Sequence, residues 1–376
     1  MNSNLSYVEV SSQNLLHNFR TFKNYVHSTI KMISVVKANA YGHGLEEVVQ
    51  VLDDVTDYFA VDDIEELRRV RKISQKPVIV LGYVQKQDLE EIVSLNAEVC
   101  IYDMERLETL NTLGKKLRKP KVHIKIDASL GRQGILLSEL ETFIKQLKKM
   151  DSIELAGVYS HFANIEDTTD FSHAQKQIVQ YKKAVGLFYS YGYKNFQTHL
   201  SSTAATLVYE KNLGLQSMVR IGIGLYGLWP SENTQESFEK HGLLLKPVMR
   251  WISHVAQVKK VPRGFSIGYG LTYITSRPMT IAVIPQGYSD GYDRGLSNKG
   301  VVLIKGTRCK VLGRIAMNMF VVDVSHISHL KAEDEVVLLG SQGNETVSAE
   351  ELAEKIGTIN YEVVARISPL LPKIIK

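Results

Sequence analysis

Over its first 225 or so residues the chain alternates short β-branched, apolar runs with longer stretches of helical spacing. The runs read as strands are 32–37 (MISVVK), 58–61 (YFAV), 78–82 (VIVLG), 98–101 (EVCI), 122–127 (VHIKID), 155–160 (LAGVYS), 197–200 (QTHL) and 217–222 (SMVRIG). Several are continuous apolar runs, the pattern of parallel strands buried on both faces. Helical stretches lie between them at 62–72, 103–116 and 172–192; the first opens with acids and closes with bases, as the helix dipole favours. Eight such units in a little over 200 residues is the arithmetic of a (β/α)8 barrel, with an open doubly wound sheet as the alternative. From about residue 241 the pattern changes to closely spaced strands (248–261, 279–285, 300–313, 319–325, 335–340) divided by turn residues, which predicts an antiparallel β domain. One helix, 348–357, interrupts it, with Ser348 and Glu351 in capping-box spacing. The polar stretch 229–242 reads as a linker. The expected fold is therefore α/β: a barrel over 1–240 and a mostly antiparallel β-rich domain over 241–376, with the first ten or so residues expected to pack with the second domain.

At 376 residues the chain exceeds one ordinary domain, and 44% hydrophobic with 23% charged residues is a globular composition that excludes disorder. No apolar run approaches the length of a membrane helix, and the N-terminus lacks a basic segment followed by an apolar one, so a cytoplasmic protein is expected. Cys100 and Cys309 are too few and too far apart for a disulfide framework, and no metal site is expected. The net charge of +5 comes from short clusters at 67–72, 114–120 and 144–150. Each reads as a helix face or helix C-terminus, and no basic stripe or docking motif points to nucleic acid. The charge supports only mild attraction for small anions.

On a barrel, chemistry gathers at the C-terminal ends of the strands. Those ends here are Lys37, Arg132, His161, Ser202 with Thr203, and Arg220 to Ile223. Lys37 is the most informative, because an ammonium against low-dielectric walls can be tuned for covalent carbonyl chemistry. The segment 222–227 (GIGLYG) satisfies G-x-G-x-x-G, yet it follows the eighth strand and no acidic residue stands about 20 positions on, so it is not a dinucleotide fingerprint. Its glycines and the hydroxyls of Ser202 and Thr203 instead suit an anion held after strands 7 and 8, a recurrent phosphate site on barrels.

These residues carry a specific resemblance. The segment VVKANAYGHG (35–44) resembles the cofactor-lysine signature of the alanine racemases. The likeness continues through HIKIDASLGRQG (123–134), YSHFAN (159–164), HLSSTAAT (199–206), VRIGIGLYGL (219–228), SIGYGLTY (266–273), GYSDGY (287–292), GRIAMNM (313–319) and INYEV (359–363). The resemblance implies an isomerase using pyridoxal 5'-phosphate, with Lys37 carrying the cofactor and serving as one acid/base. It implies Tyr269 as the opposite base, presented by a second copy of the chain in a homodimer with shared sites. Arg220 would donate to the cofactor's pyridine nitrogen with His161 behind it. Arg132 would contact the cofactor's phenolic oxygen and the substrate carboxylate. Tyr41, Ser202, Thr203, Gly222, Ile223 and Tyr361 would surround the phosphate, and Met317 would bring its backbone amide to the substrate carboxylate. Lys125 stands where some members carry a carbamylated lysine; Tyr288, in GYSDGY, and Asn318 are supporting positions.

Racemisation takes a proton from one face of a planar centre and returns one to the other, so two bases on opposite faces are the direct solution. An arginine keeps its proton at ordinary pH, so the pyridine nitrogen beside it stays unprotonated and the cofactor is a tempered electron sink. Departures from the family pattern are the residues before Arg132, a serine in HLSST, Ala316 and Asn318 in GRIAMNM, and the ending ISPLLPK. Asn318 in place of the usual aspartate motivates a serine or broad-specificity racemase as the alternative. A barrel-type decarboxylase and a non-catalytic cofactor-binding protein are weaker readings.

Overall fold

A computed structural model describes residues 4–214 and 216–376. They form two compact units, one of residues 15–38 and 49–246, the other of 4–14, 39–48 and 247–376.

In the first unit all eight expected strands form, in the sheet order Met218–Ile221, Lys31–Val35, Tyr58–Val61, Val78–Val80, Glu98–Ile101, Lys121–Asp127, Glu154–Tyr159, Gln197–His199. Every neighbouring pair is parallel. The Ser217 amide donates to the Thr198 carbonyl (2.9 Å) and the Arg220 amide to that of Ser201 (3.0 Å), which brings the last strand to the first and rounds the sheet into a barrel. The first strand stops at Val35, two residues short of expectation, because the backbone changes hand after Lys37. Helices Ile64–Arg71 and Met104–Gly114 are capped by Asp63 and Asp103, whose carboxylates accept from the amides of Glu66 and Arg106. The cluster at 67–72 is more than a solvated face. Arg71 donates to the carbonyls of Leu95, Lys76 and Asn96, and Arg68 engages Glu91. The expected linker holds a helix, Glu232–Glu239, because Ser231 and Thr234 close a capping box at its start.

Along Lys121–Asp127 the alternation is strict, with His123, Lys125 and Asp127 on one face and Val122, Ile124 and Ile126 on the other, all buried. The same period of two places Glu98 with Cys100, Gly157 with Tyr159, and Met218 with Arg220. His123, Lys125, Glu98 and Arg220 converge through the contacts below, so the barrel interior holds a buried polar set. Cys100 is part of this interior and, like Cys309, is a buried free thiol.

In the second unit a ten-stranded sheet runs Gln257–Val261, Met279–Ile284, Phe320–Asp323, Thr307–Leu312, Val301–Ile304, Glu335–Gln342, Met249–His254, Tyr7–Val10, Lys373–Ile375, with Glu345–Val347 on Glu335–Gln342. All pairs are antiparallel except Tyr7–Val10 with Lys373–Ile375. The run read as one strand over 248–261 divides at Val255 and Ala256, whose amides turn to the carbonyls of Asp334 and Val283. Lys305 and Gly306 take positive φ in a two-residue hairpin turn. Helix Ala349–Ile356 starts at Ser348, whose hydroxyl accepts from the Glu351 amide; the Glu351 carboxylate completes no box and goes to Arg308. A further helix, Asn360–Ala365, was not expected; its four apolar or aromatic residues are too few for a helical period to register.

Candidate active site

Lys37 is the first residue of a single left-handed helical turn, Lys37–Tyr41, in which Ala38, Asn39, Ala40 and Tyr41 all have φ of 53–54°. Left-handed conformation costs roughly 1–2 kcal/mol per L-residue, so this turn stands only because its surroundings hold it. Asn39 accepts the Leu45 amide on its side chain (3.1 Å) and the Gly44 amide on its carbonyl (3.0 Å), while His43 Nδ1 lies 3.1 and 2.9 Å from the carbonyls of Ala40 and Tyr41. Gly42 (φ 80°) packs so closely that a Cβ would lie 1.9 Å from the Val364 carbonyl oxygen. Lys37 Nζ itself donates to Asp62 Oδ1 at 3.0 Å.

His43 is fully buried, and burial pushes its pKa down to about 4. The unfolded chain binds this proton first as pH falls, so the stability linked to His43 is complete above pH 6.5 and is lost between there and about pH 4. The loss amounts to about 3 kcal/mol. In urea titrations at pH 7 and pH 4.5, His43→Gln is expected to lose less stability on acidification than the unmutated chain; equal losses would show that His43 does not titrate this way.

Four cations gather in the barrel. Lys125 is buried and its pKa is lowered to about 8, first by burial, with Arg132, Arg220 and Lys37 adding to it. Its ammonium donates to Gln133 Oε1 at 3.3 Å and lies 5.7 Å from the centre of the Tyr159 ring. Arg132 rides on a loop tied by Asp127, whose carboxylate accepts the amides of Leu130, Gly131 and Arg132 at 2.8–3.2 Å. His161 is held neutral, by burial first and then by Arg220, Arg132, Lys125 and Lys37. Such a cluster attracts anions. Beside it, Thr203 opens helix Thr203–Leu213 with Ser202 at its cap, and Thr203 Oγ1 accepts the amides of Gly222 (3.1 Å) and Gly224 (3.5 Å). A helix N-terminus, two hydroxyls and the Gly222–Ile223 backbone thus stand together, as a phosphate requires.

Arg220 is buried, and burial lowers its pKa from the usual value without taking its proton. Nη1 donates to His199 Nδ1 (2.6 Å) and to the His199 carbonyl (3.2 Å); Nη2 reaches the carbonyls of Ser160 (2.8 Å) and Leu200 (3.0 Å) and His161 Nδ1 (3.2 Å). Its Nε–H is the donor outside these bonds. Behind His199 the contacts continue: His199 Nε2 to His123 Nδ1 at 2.9 Å, and His123 Nε2 to Glu98 Oε2 at 2.6 Å. The Tyr159 ring stacks on His199 with centroids 4.8 Å apart. The sequence alone did not mark out Glu98, His123 or His199, although the last two sit inside family motifs; the period-two polarity of VHIKID was the available signal for His123. Asp62 was missed as well, with no signal beyond its place after the second strand.

The other unit carries the remaining expected residues. The rings of Tyr41 and Tyr361 are 6.2 Å apart. Tyr269 lies between two left-handed glycines and is 75% exposed. Met317 and Tyr288 are also exposed, and Met317 offers its carbonyl to the Ser289 amide (3.0 Å) and hydroxyl (2.8 Å). Asn318 Nδ2 donates to Ser289 Oγ at 2.8 Å. Leu271, Ile274 and Met319 are exposed as well. The departing C-terminus is well tied: the Val8 amide donates to the Pro372 carbonyl and the Lys376 amide to that of Val10, both at 2.9 Å.

Residues 10–230 match the family model described as alanine racemase, N-terminal domain, and residues 248–375 the model described as alanine racemase, C-terminal domain. The chain is 34% identical over 375 residues to the alanine racemase of Leptospira interrogans, covering 98% of this chain and 95% of that one. It is 37% identical over 371 residues to that of Carboxydothermus hydrogenoformans, covering 98% of both. Among solved structures, alanine racemase of Clostridium difficile superposes with a TM-score of 0.92 at 33% identity, covering all of this chain and 97% of that one. Alanine racemase from Bacillus anthracis with bound L-Ala-P gives 0.92 at 31% identity, with 100% and 96% covered.

Proposed function

The chain belongs to the alanine racemase family, and from that premise we propose that it interconverts L- and D-alanine with pyridoxal 5'-phosphate as cofactor. The observation that carries the reading is the barrel in which Lys37 stands two residues beyond the first strand, Lys31–Val35, and a buried arginine, Arg220, stands where an acidic partner would serve other chemistry. The residues present fit the cofactor: a lysine able to hold it covalently, a hydroxyl-and-amide cradle for its phosphate at Ser202, Thr203, Gly222 and Ile223, and positive charge from Arg132. When bound, pyridoxal phosphate supplies the sink for the charge left on the substrate's α-carbon.

This chain's residues do the rest. Lys37 would hold the cofactor, and its Nζ, when not so engaged, would take or return the α-proton on one face, with Asp62 as its alternative partner. Tyr269 Oη of a second copy serves the other face. Arg220 offers Nε–H to the pyridine nitrogen and keeps its own proton, which leaves that nitrogen unprotonated. Arg132 and the Met317 amide of the second copy orient the substrate carboxylate. The exposure of Tyr269, Met317, Leu271 and Ile274 supports a homodimer in which each copy completes the other's site. Lys125, with its lowered pKa and, among the described residues, no carboxylate paired with it, suits conversion to a carbamate that would face Arg132. Incubation with 13C-bicarbonate at pH 8 is expected to give a carbamate carbon signal that Lys125→Arg lacks; its absence from the unmutated chain would remove this assignment.

Asn318, tied through Ser289 to Met317, favours a second reading: a racemase that also accepts serine or larger amino acids. Racemisation assays over alanine, serine, lysine and arginine decide between them. We expect alanine to have the highest kcat/KM. A preference for any of the others would replace the alanine assignment, and CO2 release from an amino acid would replace racemisation by decarboxylation.

A further inference from the structure

Glu98, His123, His199 and Arg220 come from four different barrel strands and are all at most 5% exposed, yet only Arg220 has a role in the reaction proposed above. A buried glutamate and two buried imidazoles are costly unless every polar atom is satisfied in one consistent arrangement. The distances admit a single arrangement. A guanidinium has donors only, so His199 Nδ1, at 2.6 Å from Arg220 Nη1, carries no hydrogen and accepts. His199 therefore holds its proton on Nε2 and donates to His123 Nδ1 at 2.9 Å. His123 Nδ1 then cannot carry a proton, since two N–H groups would collide there. His123 is neutral, protonated on Nε2, and donates to Glu98 at 2.6 Å.

We propose that Glu98, His123 and His199 are positioning residues for Arg220: three hydrogen bonds in series, starting at the Glu98 carboxylate, fix both imidazoles in the Nε2–H tautomer and turn an acceptor toward the guanidinium. The series ties up Nη1 and so aims the side chain, leaving Nε–H for the reaction; this last consequence rests on the function proposed above. Two further observations agree. Burial is the largest influence on the Glu98 pKa and raises it, but the hydrogen bond from His123 and the positive charge nearby, including Lys121 and Lys31, together outweigh it and keep the carboxylate below its ordinary range; burial first and then the Arg220 charge hold His199 neutral. Gly157 has no Cβ where one would lie 2.2 Å from His123 Nδ1, and the pairing register of its strand shifts beside His123, so the backbone is shaped around this ring.

The test uses the full chain labelled with 15N-histidine, at pH 7, with and without added pyridoxal phosphate. Long-range 15N–1H correlations are expected to show His123 and His199 neutral with the proton on Nε2. An Nδ1–H form of His199, or an imidazolium at either residue, overturns the proposal whether or not the chain racemises anything. Glu98→Gln retains an acceptor and is expected to keep both tautomers and a kcat within about twofold. Glu98→Leu fills the volume but removes the acceptor; His123 is expected to lose its single tautomer, and kcat to fall roughly 10- to 100-fold while KM for alanine stays unchanged, as for a displaced group in the site. A Glu98→Leu enzyme with unaltered kcat and His199 tautomer would reduce the cluster to packing. If that variant does not fold, the spectrum of the unmutated chain decides. A chain with both Nε2–H tautomers but no racemase activity would refute the proposed function and leave the tautomer assignment standing.

Discussion

Replacing Lys37 with alanine is expected to abolish both racemisation and the absorbance band near ~420 nm that covalently held pyridoxal phosphate gives the purified chain. Lys37 is asked to do two things, to hold the cofactor and to move a proton, and a single positioned acid–base group alone is typically worth ~10²–10⁴-fold. Loss of both should exceed about 10⁴-fold in kcat. The substitution should leave folding nearly untouched. In the isolated chain the ammonium meets Asp62 in a pair whose side chains are 40% and 49% exposed, and such pairs contribute ~0–1 kcal/mol. The strained turn that follows is held by Asn39, His43 and Gly42, none of which contacts the Lys37 amine in the bonds described. An unchanged urea midpoint with no band and no activity is therefore the expected combination. A band that survives in Lys37→Ala would place the cofactor on another residue and remove the basis of the mechanism.

Tyr269→Phe is expected to produce the second large effect, and its form matters more than its size. The equilibrium constant between L- and D-alanine is unity, so overall kcat/KM must stay equal in the two directions whatever the variant. The defect has to be read in the separate proton transfers. With Tyr269 serving one face, α-deuterium should wash out of one enantiomer at near the original rate, and from the other ~10²–10⁴-fold more slowly. Net racemisation should fall by the same factor. The hydroxyl is lost from a side chain that is 75% exposed in one copy, so folding stability should not change. Equal washout from both enantiomers would make Tyr269 a bystander. The assignment of Tyr269 to the second copy has its own check: specific activity should fall as dilution takes the protein below its dimerisation constant. A monomer with full activity at nanomolar protein would overturn the shared site.

The strands of the barrel were legible because burial on both faces leaves a crude and robust signature, unbroken runs such as those at 58–61 and 78–82. Boundaries were less so. The strand at 32–37 was expected to reach Lys37, but nothing in VVKANAY announces that four L-residues will adopt left-handed φ. That conformation is held by contacts of the Asn39 and His43 side chains and by the close approach of Val364 to Gly42, and Val364 lies far outside any local window. The helix at 232–239 was hidden in a stretch that looked polar and loop-like, since a capping box with threonine in the third position is a weak signal. Of the candidate site, Lys37, Arg132, His161, Ser202, Thr203 and Arg220 were legible as strand ends, because the barrel fixes where chemistry can gather. The functional roles came from the family motifs.

By itself the sequence determined which residue types were available and on which face of each strand they would fall. The alternation of His123, Lys125 and Asp127 with three apolar neighbours guaranteed that all three would point the same way. Only the tertiary structure decided that this way was inward, and who would meet whom. Glu98, His123, His199 and Arg220 are separated by 25, 76 and 21 residues along the chain and by 2.6–2.9 Å contacts in space. The physical reason is that a hydrogen-bond donor carries no address. An imidazole buried in a barrel accepts or donates according to the group that closure of the sheet brings beside it, and the tautomers that orient Arg220 exist only once the barrel has closed.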